Sequence, residues 1–280
     1  MRRINRQIVI FILPAAIAWL LSSCYPEYKL GKEFIESKPE LSVLLIPADY
    51  VFKNNLKRNE IGDTAGMTSD EIDSALLANS IFLNEISDSV LLETFINSML
   101  NEFQKLGINV FLNPADSFLF LPSPAFVLHI AQLELEEFRQ NNKDSEVFED
   151  VTYYKTIKTN ALSFNSWFEL SWLNPKKEGR KLFFASETIG DIVDGYFTQN
   201  LLTGEVFYKY DLIGLDTGVI YRYCDLLGKR YAAYTFDYLM NQYIKHNLPP
   251  EVKMRYYMHY DRSSGLLEPT WDERFEIMEE

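Results

Sequence analysis

Apolar positions recur at spacings of three and four from Asp88 to Leu106, where Leu92, Phe95, Ile96, Met99, Phe103 and Leu106 build one face of a helix that Gly107 ends. A weaker helical pattern covers Asp70–Leu83, with Ile72, Leu76 and Ile81 apolar. Short continuous apolar runs at Leu41–Pro47 and Ile108–Leu112 read as buried strands. Ala125–Phe138 reads as a longer strand, apolar on both faces and then acidic from Glu134, followed by a charged turn or loop over Gln140–Asp150. The clearest strand is Asn160–Leu173. There Leu162, Phe164, Phe168, Leu170 and Trp172 point one way, and Ser163, Asn165, Trp167, Glu169 and Ser171 the other. The turn Asn174–Arg180 lets Lys181–Thr188 pair back as a hairpin. Gly190–Gly214 is ambiguous between a short helix and a strand near Val206–Tyr210. Thr217–His246 is a long aromatic-rich helix, interrupted near Gly228 and stopped by Asn247-Leu248-Pro249-Pro250. The chain closes with a strand in KMRYYMHY and an acidic end. Lys53–Ser69 is polar and loop-like.

These elements predict an α+β fold: an antiparallel or mixed sheet packed against two or more helices, with a C-terminal helix and an extended tail. The expected organisation is a leader over 1–23, a tether over 24–40, one domain over 41–250 and a tail over 251–280.

The leader carries Arg2, Arg3 and Arg6 before the apolar run Ile8–Leu21, which is short for a spanning helix of about 20 residues. It ends in Leu21-Ser22-Ser23-Cys24, which resembles the lipobox of bacterial lipoproteins. That resemblance implies cleavage after Ser23, a diacylglycerol thioether on Cys24, and an N-terminus acylated by chains such as palmitate. Two or three acyl chains, at about 0.8 kcal/mol per methylene, anchor a protein without spanning the bilayer. Tyr25 follows the cysteine where an Asp would signal inner-membrane retention, and the expectation is the periplasmic face of the outer membrane.

Removing the leader deletes three arginines and no acid, which takes the net charge of −13 to about −16. An acidic body argues against a nucleic-acid or anionic-lipid binding face. With Cys24 acylated, Cys224 stands alone and no intrachain disulfide forms; its helical YRYCDLL context predicts a buried, inert thiol. His129, His246 and His259 are scattered, so neither a zinc set nor a Cys–His pair emerges, and no metal or cofactor is expected.

The order strand, helix, strand, antiparallel strands, C-terminal helix also resembles the envelope-lipoprotein fold of transport auxiliary lipoproteins, penicillin-binding-protein activators and the N-terminal domain of the Tol-system propeller protein. Leu41–Pro47, Asp88–Leu106 with Ile108–Leu112, and the strands at 125–138 and 160–173 carry it, about half of the mature chain. The implied role is a non-catalytic accessory or assembly factor with an envelope protein partner.

Candidate chemistry is sparse. Asp216-Thr217-Gly218 after Leu212, Ile213 and Leu215 looks like an aspartic-protease loop, but it occurs once and continues into Val219. A helix N-cap is the simpler reading. Glu134, Glu136 and Glu137, with Asp144, Glu146, Glu149 and Asp150, could pair as in a glycosidase or hold calcium, but the pattern fits a solvated strand end better. His129, on an apolar strand, reads as a satisfied core histidine. In the tail Arg255, Tyr256, Tyr257 and Tyr260 beside His259 are residue types favoured at interfaces and at sugar-stacking sites. Protein-partner binding leads, glycan or small-ligand binding is the alternative, and a hydrolase is third.

Overall fold

The computed structural model describes residues 26–37, 40–62, 64–112, 125–173, 179–271 and 273–278; the leader, Ser23 and Cys24 lie outside them. The architecture is the expected α+β. Among the described residues four α-helices, α1 Pro26–Ser37, α2 Ser69–Ala78, α3 Asp88–Lys105 and α4 Thr217–Asn247, accompany a mixed sheet. The described residues divide into two compact units, a larger one within 41–232 and 275–278, and a smaller one within 26–40 and 233–274.

In the larger unit the sheet runs β11-β6-β5-β4-β1-β3. Its strands are β1 Ser42–Ile46, β3 Asn109–Phe111, β4 Ala125–Phe148, β5 Val151–Trp172, β6 Lys181–Gly190 and β11 Glu276–Met278. β1 lies parallel to both β3 and β4, while β4, β5, β6 and β11 are antiparallel neighbours. β2 Val51–Asn55 continues along β4 past the end of β1, so one long strand supports two short parallel ones in succession. β4 keeps its buried face only because of a bulge between Ile130 and Gln132: Leu128 and Ile130 face the core before it, Leu133, Leu135 and Glu137 after it.

Helix α3 ends as anticipated at Gly107, with φ +82°. Ile108 N–H donates to the Phe103 carbonyl (2.9 Å) and Gly107 N–H to that of Gln104 (3.1 Å), the two bonds of a Schellman motif. Thr68 and Glu71 form a capping box at the start of α2. The core lies between the sheet and the helices α3 and α4. Tyr231 packs edge-on against Phe168 (5.3 Å) and Phe95 (5.9 Å), and Phe164 meets Tyr223 at 5.5 Å.

Helix α4 is not interrupted at Gly228. A Cβ there would stand 2.5 Å from the Phe95 carbonyl oxygen and 2.9 Å from Ser98 Cβ, so the glycine marks the close approach of α4 to α3. Asp225 accepts from Ser98 and Lys229 on either side of this contact, which holds its carboxyl below the usual range. Gly228→Ala is expected to destabilise the fold by about 1–3 kcal/mol through overpacking, despite alanine's better helix propensity. Urea denaturation checks this, and a gain of about 1 kcal/mol, as propensity alone requires, would refute the close approach.

Buried polar groups pin the segment between β2 and α3. Glu137 and Lys57, 0% and 2% exposed, pair at 2.5 Å. The Glu137 carboxylate also accepts from the backbone N–H groups of Ile81 (2.8 Å), Phe82 (3.0 Å) and Leu83 (3.3 Å). Asn55 donates to the Leu76 carbonyl and accepts from Lys57 N–H.

In the smaller unit, residues 26–37 form helix α1 where a polar tether was expected, because Glu27, Gly31 and Phe34 share one face and are buried. Phe34 packs on Phe236 and Tyr243 at 5.6 and 5.3 Å. Glu27 accepts from Arg255 N–H at 2.7 Å. The expected tail is instead a hairpin of β9 Tyr257–Asp261 and β10 Leu266–Thr270 in this unit, followed by β11 in the larger one. Asp237, fully buried, accepts from His259 Nδ1 (2.6 Å) and Tyr260 N–H (2.9 Å). Asn241 takes both backbone groups of Met258. Burial raises the Asp237 carboxyl pKa, and the His259 bond partly offsets that.

Candidate interaction surface

Two ribbons leave the sheet of the larger unit. β2 pairs with β4 only as far as Glu137, and β6 pairs with β5 only as far as Ala161, so the outer part of the β4–β5 hairpin stands as a two-stranded arm. The sequence suggested a loop at 140–150, but strand pairing runs to Phe148 opposite Val151. The chain reverses through Glu149 and Asp150, both at positive φ (46° and 66°), the handedness a two-residue hairpin turn requires. The second ribbon, β7 Ile192–Gln199 with β8 Val206–Ile213, is a separate two-stranded sheet where the hydrophobic pattern was ambiguous.

Asp191 fastens the bases of both ribbons. Its Oδ2 accepts from Asn160 N–H (2.9 Å) and Asn160 Nδ2 (3.0 Å), and its Oδ1 from Leu215 N–H (2.8 Å). Gly190 permits the sharp exit from β6, since a Cβ would lie 2.8 Å from the Asn160 carbonyl. Further out, the Tyr208 ring lies across Gly195, where any Cβ would strike the phenol, and its hydroxyl reaches Asp144 on the neighbouring arm. Burial, and then Asp144, push the Tyr208 phenol pKa up. Between the ribbons is a cleft of about 460 Å³, with Asn142, Asp144, Lys155, Thr188 and Tyr208 on its walls.

The β7–β8 tip is ordered by Asn200. Its Oδ1 accepts from Leu202 N–H (2.9 Å) and Thr203 N–H (3.3 Å), and its carbonyl from Gly204 N–H (2.8 Å). This holds Leu201 and Leu202 out into solvent, each 96% exposed. Tyr154, Tyr196, Leu212 and Ile213 are also exposed along the ribbons. The loop thus presents two bare leucines side by side at the ribbon tip.

The residues singled out from sequence do not converge. Arg255 is exposed, Tyr256 meets the exposed Trp271 edge-on at 4.8 Å, and Tyr260 packs on Phe236 at 5.8 Å. Tyr257 is half-buried, with its phenol pKa pushed up by burial and by Asp237. They share the smaller unit, away from the ribbons in sequence. Asp216 caps α4 by accepting from Val219 N–H at 2.8 Å, the expected helix-cap role. The acidic residues split: Glu134 and Glu136 lie on the sheet's open face, Glu137 in the core, and the rest on the arm. Burial and the Glu136 charge raise the Glu134 pKa, while Asn165 bonds Glu136 at 2.9 Å. His129 is no core histidine: alternation with the inward Leu128 and Ile130 places it on the open face, 40% exposed and 3.7 Å from Glu169. Cys224 is buried and its thiol pushed up to about 12 by desolvation, as an inert thiol requires.

Among the described residues no group of three His, Cys, Asp or Glu side chains could hold a metal, and no helix is long and apolar enough to cross a membrane. The ribbon at 192–213 escaped the pattern, although Asn-Leu-Leu-Thr-Gly between two alternating stretches is a hairpin signal. Compared with known protein families and with curated proteins, the chain matches none.

Proposed function

We propose that this chain is a bacterial lipoprotein, acylated on Cys24 at the periplasmic face of the outer membrane, that works as a non-catalytic accessory or assembly factor by gripping an envelope protein. The observation that carries the contact role is the Asn200-ordered tip with Leu201 and Leu202 bare to solvent. The Leu-Ser-Ser-Cys lipobox supports the anchor. Helix α1 begins at Pro26, two residues after Cys24, so anchoring there holds the smaller unit close to the lipid surface.

A crosslinking pull-down from native membranes, with the full-length protein, tests this. One stoichiometric envelope partner is expected, and it should be lost or reduced both in the Cys24→Ala control and in the Leu201→Ser/Leu202→Ser variant. If the protein is abundant and anchored yet captures nothing, the accessory role fails. The cleft between the ribbons favours the second reading, binding of a glycan or small polar ligand. Its volume suits such a molecule, and amide, hydroxyl, carboxylate and phenol groups converge on it.

A further inference from the structure

β8 carries a free edge whose backbone and side chains are self-complementary. Asn200 N–H donates to the Glu205 carbonyl, which makes 200 and 205 a hydrogen-bonded pair of the β7–β8 ladder. Such pairs alternate along an antiparallel ladder. The backbone groups of Phe207, Lys209, Asp211 and Ile213 therefore face β7, and those of Tyr208, Tyr210 and Leu212 face outward. Among the described residues β8 pairs with β7 alone, so that outward row has no backbone partner.

We propose that β8 pairs antiparallel with β8 of a second copy of this chain, about a two-fold axis at Tyr210. In this register Tyr210 opposes its own copy, and Tyr208 opposes the second copy's Leu212, with outward N–H and C=O groups meeting on both sides. Phe207 meets Ile213, joining side chains that are exposed in the single chain. Lys209 stands opposite Asp211, twice by symmetry.

Charge selects this register. Sliding the pair by one step allowed by the backbone in either direction sets Lys209 against Lys209 or Asp211 against Asp211, and like charges directly opposite are destabilising. Within one chain Asp211 already faces Asp194 across the β7–β8 ladder, and among the described residues neither has a cation partner. The second copy's Lys209 supplies one. Lysine on an edge strand usually blocks pairing with other chains. Here it disfavours a partner strand with a cation at that position and favours one that offers an acid. The pairing uses the side of the ribbon, leaves the Leu201–Leu202 tip free, and does not depend on the anchoring or partner proposed above.

The test is oxidative crosslinking of full-length protein in native membranes. Opposed residues of a hydrogen-bonded antiparallel pair have Cα atoms about 5.5 Å apart, within disulfide reach. Tyr210→Cys is expected to give a disulfide-linked dimer under mild oxidation, and Tyr196→Cys, exposed on β7, none. Adding Lys209→Asp to Tyr210→Cys should cut the dimer yield about tenfold, and adding Asp211→Lys as well should restore it. The pairing is overturned if Tyr210→Cys crosslinks no better than Tyr196→Cys. The register is overturned if the yield ignores the single charge reversal or is not recovered by the double one.

Discussion

Glu137→Leu is expected to destabilise the larger unit by roughly 3–5 kcal/mol, the cost of stripping a buried ion pair of one member. The carboxylate has four partners at once: the Lys57 ammonium and the N–H groups of Ile81, Phe82 and Leu83. Its removal leaves a buried cation and three backbone donors without an acceptor, and each unsatisfied donor adds about 1–3 kcal/mol unless the segment rearranges to reach water. Lys57→Met should cost less, because the three N–H groups still compensate the remaining carboxylate. The ordering Glu137→Leu above Lys57→Met, read from urea midpoints, is therefore the discriminating result. In the double variant the penalties should fall short of additivity by about 0.5–3 kcal/mol, as for groups that share one network. Equal effects of the two single changes would mean that the turn at 81–83 does not lean on Glu137.

The second large effect is expected at Phe275, five residues before the end of the chain. It stacks on Phe183 (centroids 5.1 Å, planes 18° apart) and packs against Phe168 at 5.3 Å and Tyr231 at 6.0 Å. It is 4% exposed, and β11 directly after it joins the sheet edge beside β6. Phe275→Ala should cost about 3–5 kcal/mol, since a void among the three remaining aromatic rings cannot collapse without moving strands. Thermal or urea unfolding checks the value. A change below about 1 kcal/mol would mean that the final segment is a dispensable tail, as its composition suggested.

Those two sites show where reading residues in order stops working. Glu134, Glu136 and Glu137 look alike in the chain, a solvated acidic strand end. One extra residue at the Ile130–Gln132 bulge changes the phase of β4, which sends Glu137 inward, to Lys57, and turns Glu134 and Glu136 to the open face. His129, ahead of the bulge, faces out because it alternates with the buried Leu128 and Ile130. Phe275 sits in a short acidic stretch with no periodicity, and the rings that bury it, Phe168, Phe183 and Tyr231, lie more than forty positions away in the chain. The helix α3, its glycine stop, the inward face of β5 and the cap at Asp216 were legible because each rests on neighbours within four or five residues.

Local spacing was thus enough to specify the α+β class, the principal helices and strands, and the buried thiol at Cys224. Hydrophobic period, capping side chains and charge act over one or two turns of chain, and they survive without tertiary context. Folding in three dimensions settled the rest: the helix in place of a tether at 26–37, the use of Gly228 as a contact, the buried Lys57–Glu137 pair, and the two ribbons with their bare leucine tip. Each depends on which distant backbone or side chain arrives at the position. A bulge of one residue, or a glycine at a crossing, decides that arrival without altering the hydrophobic pattern.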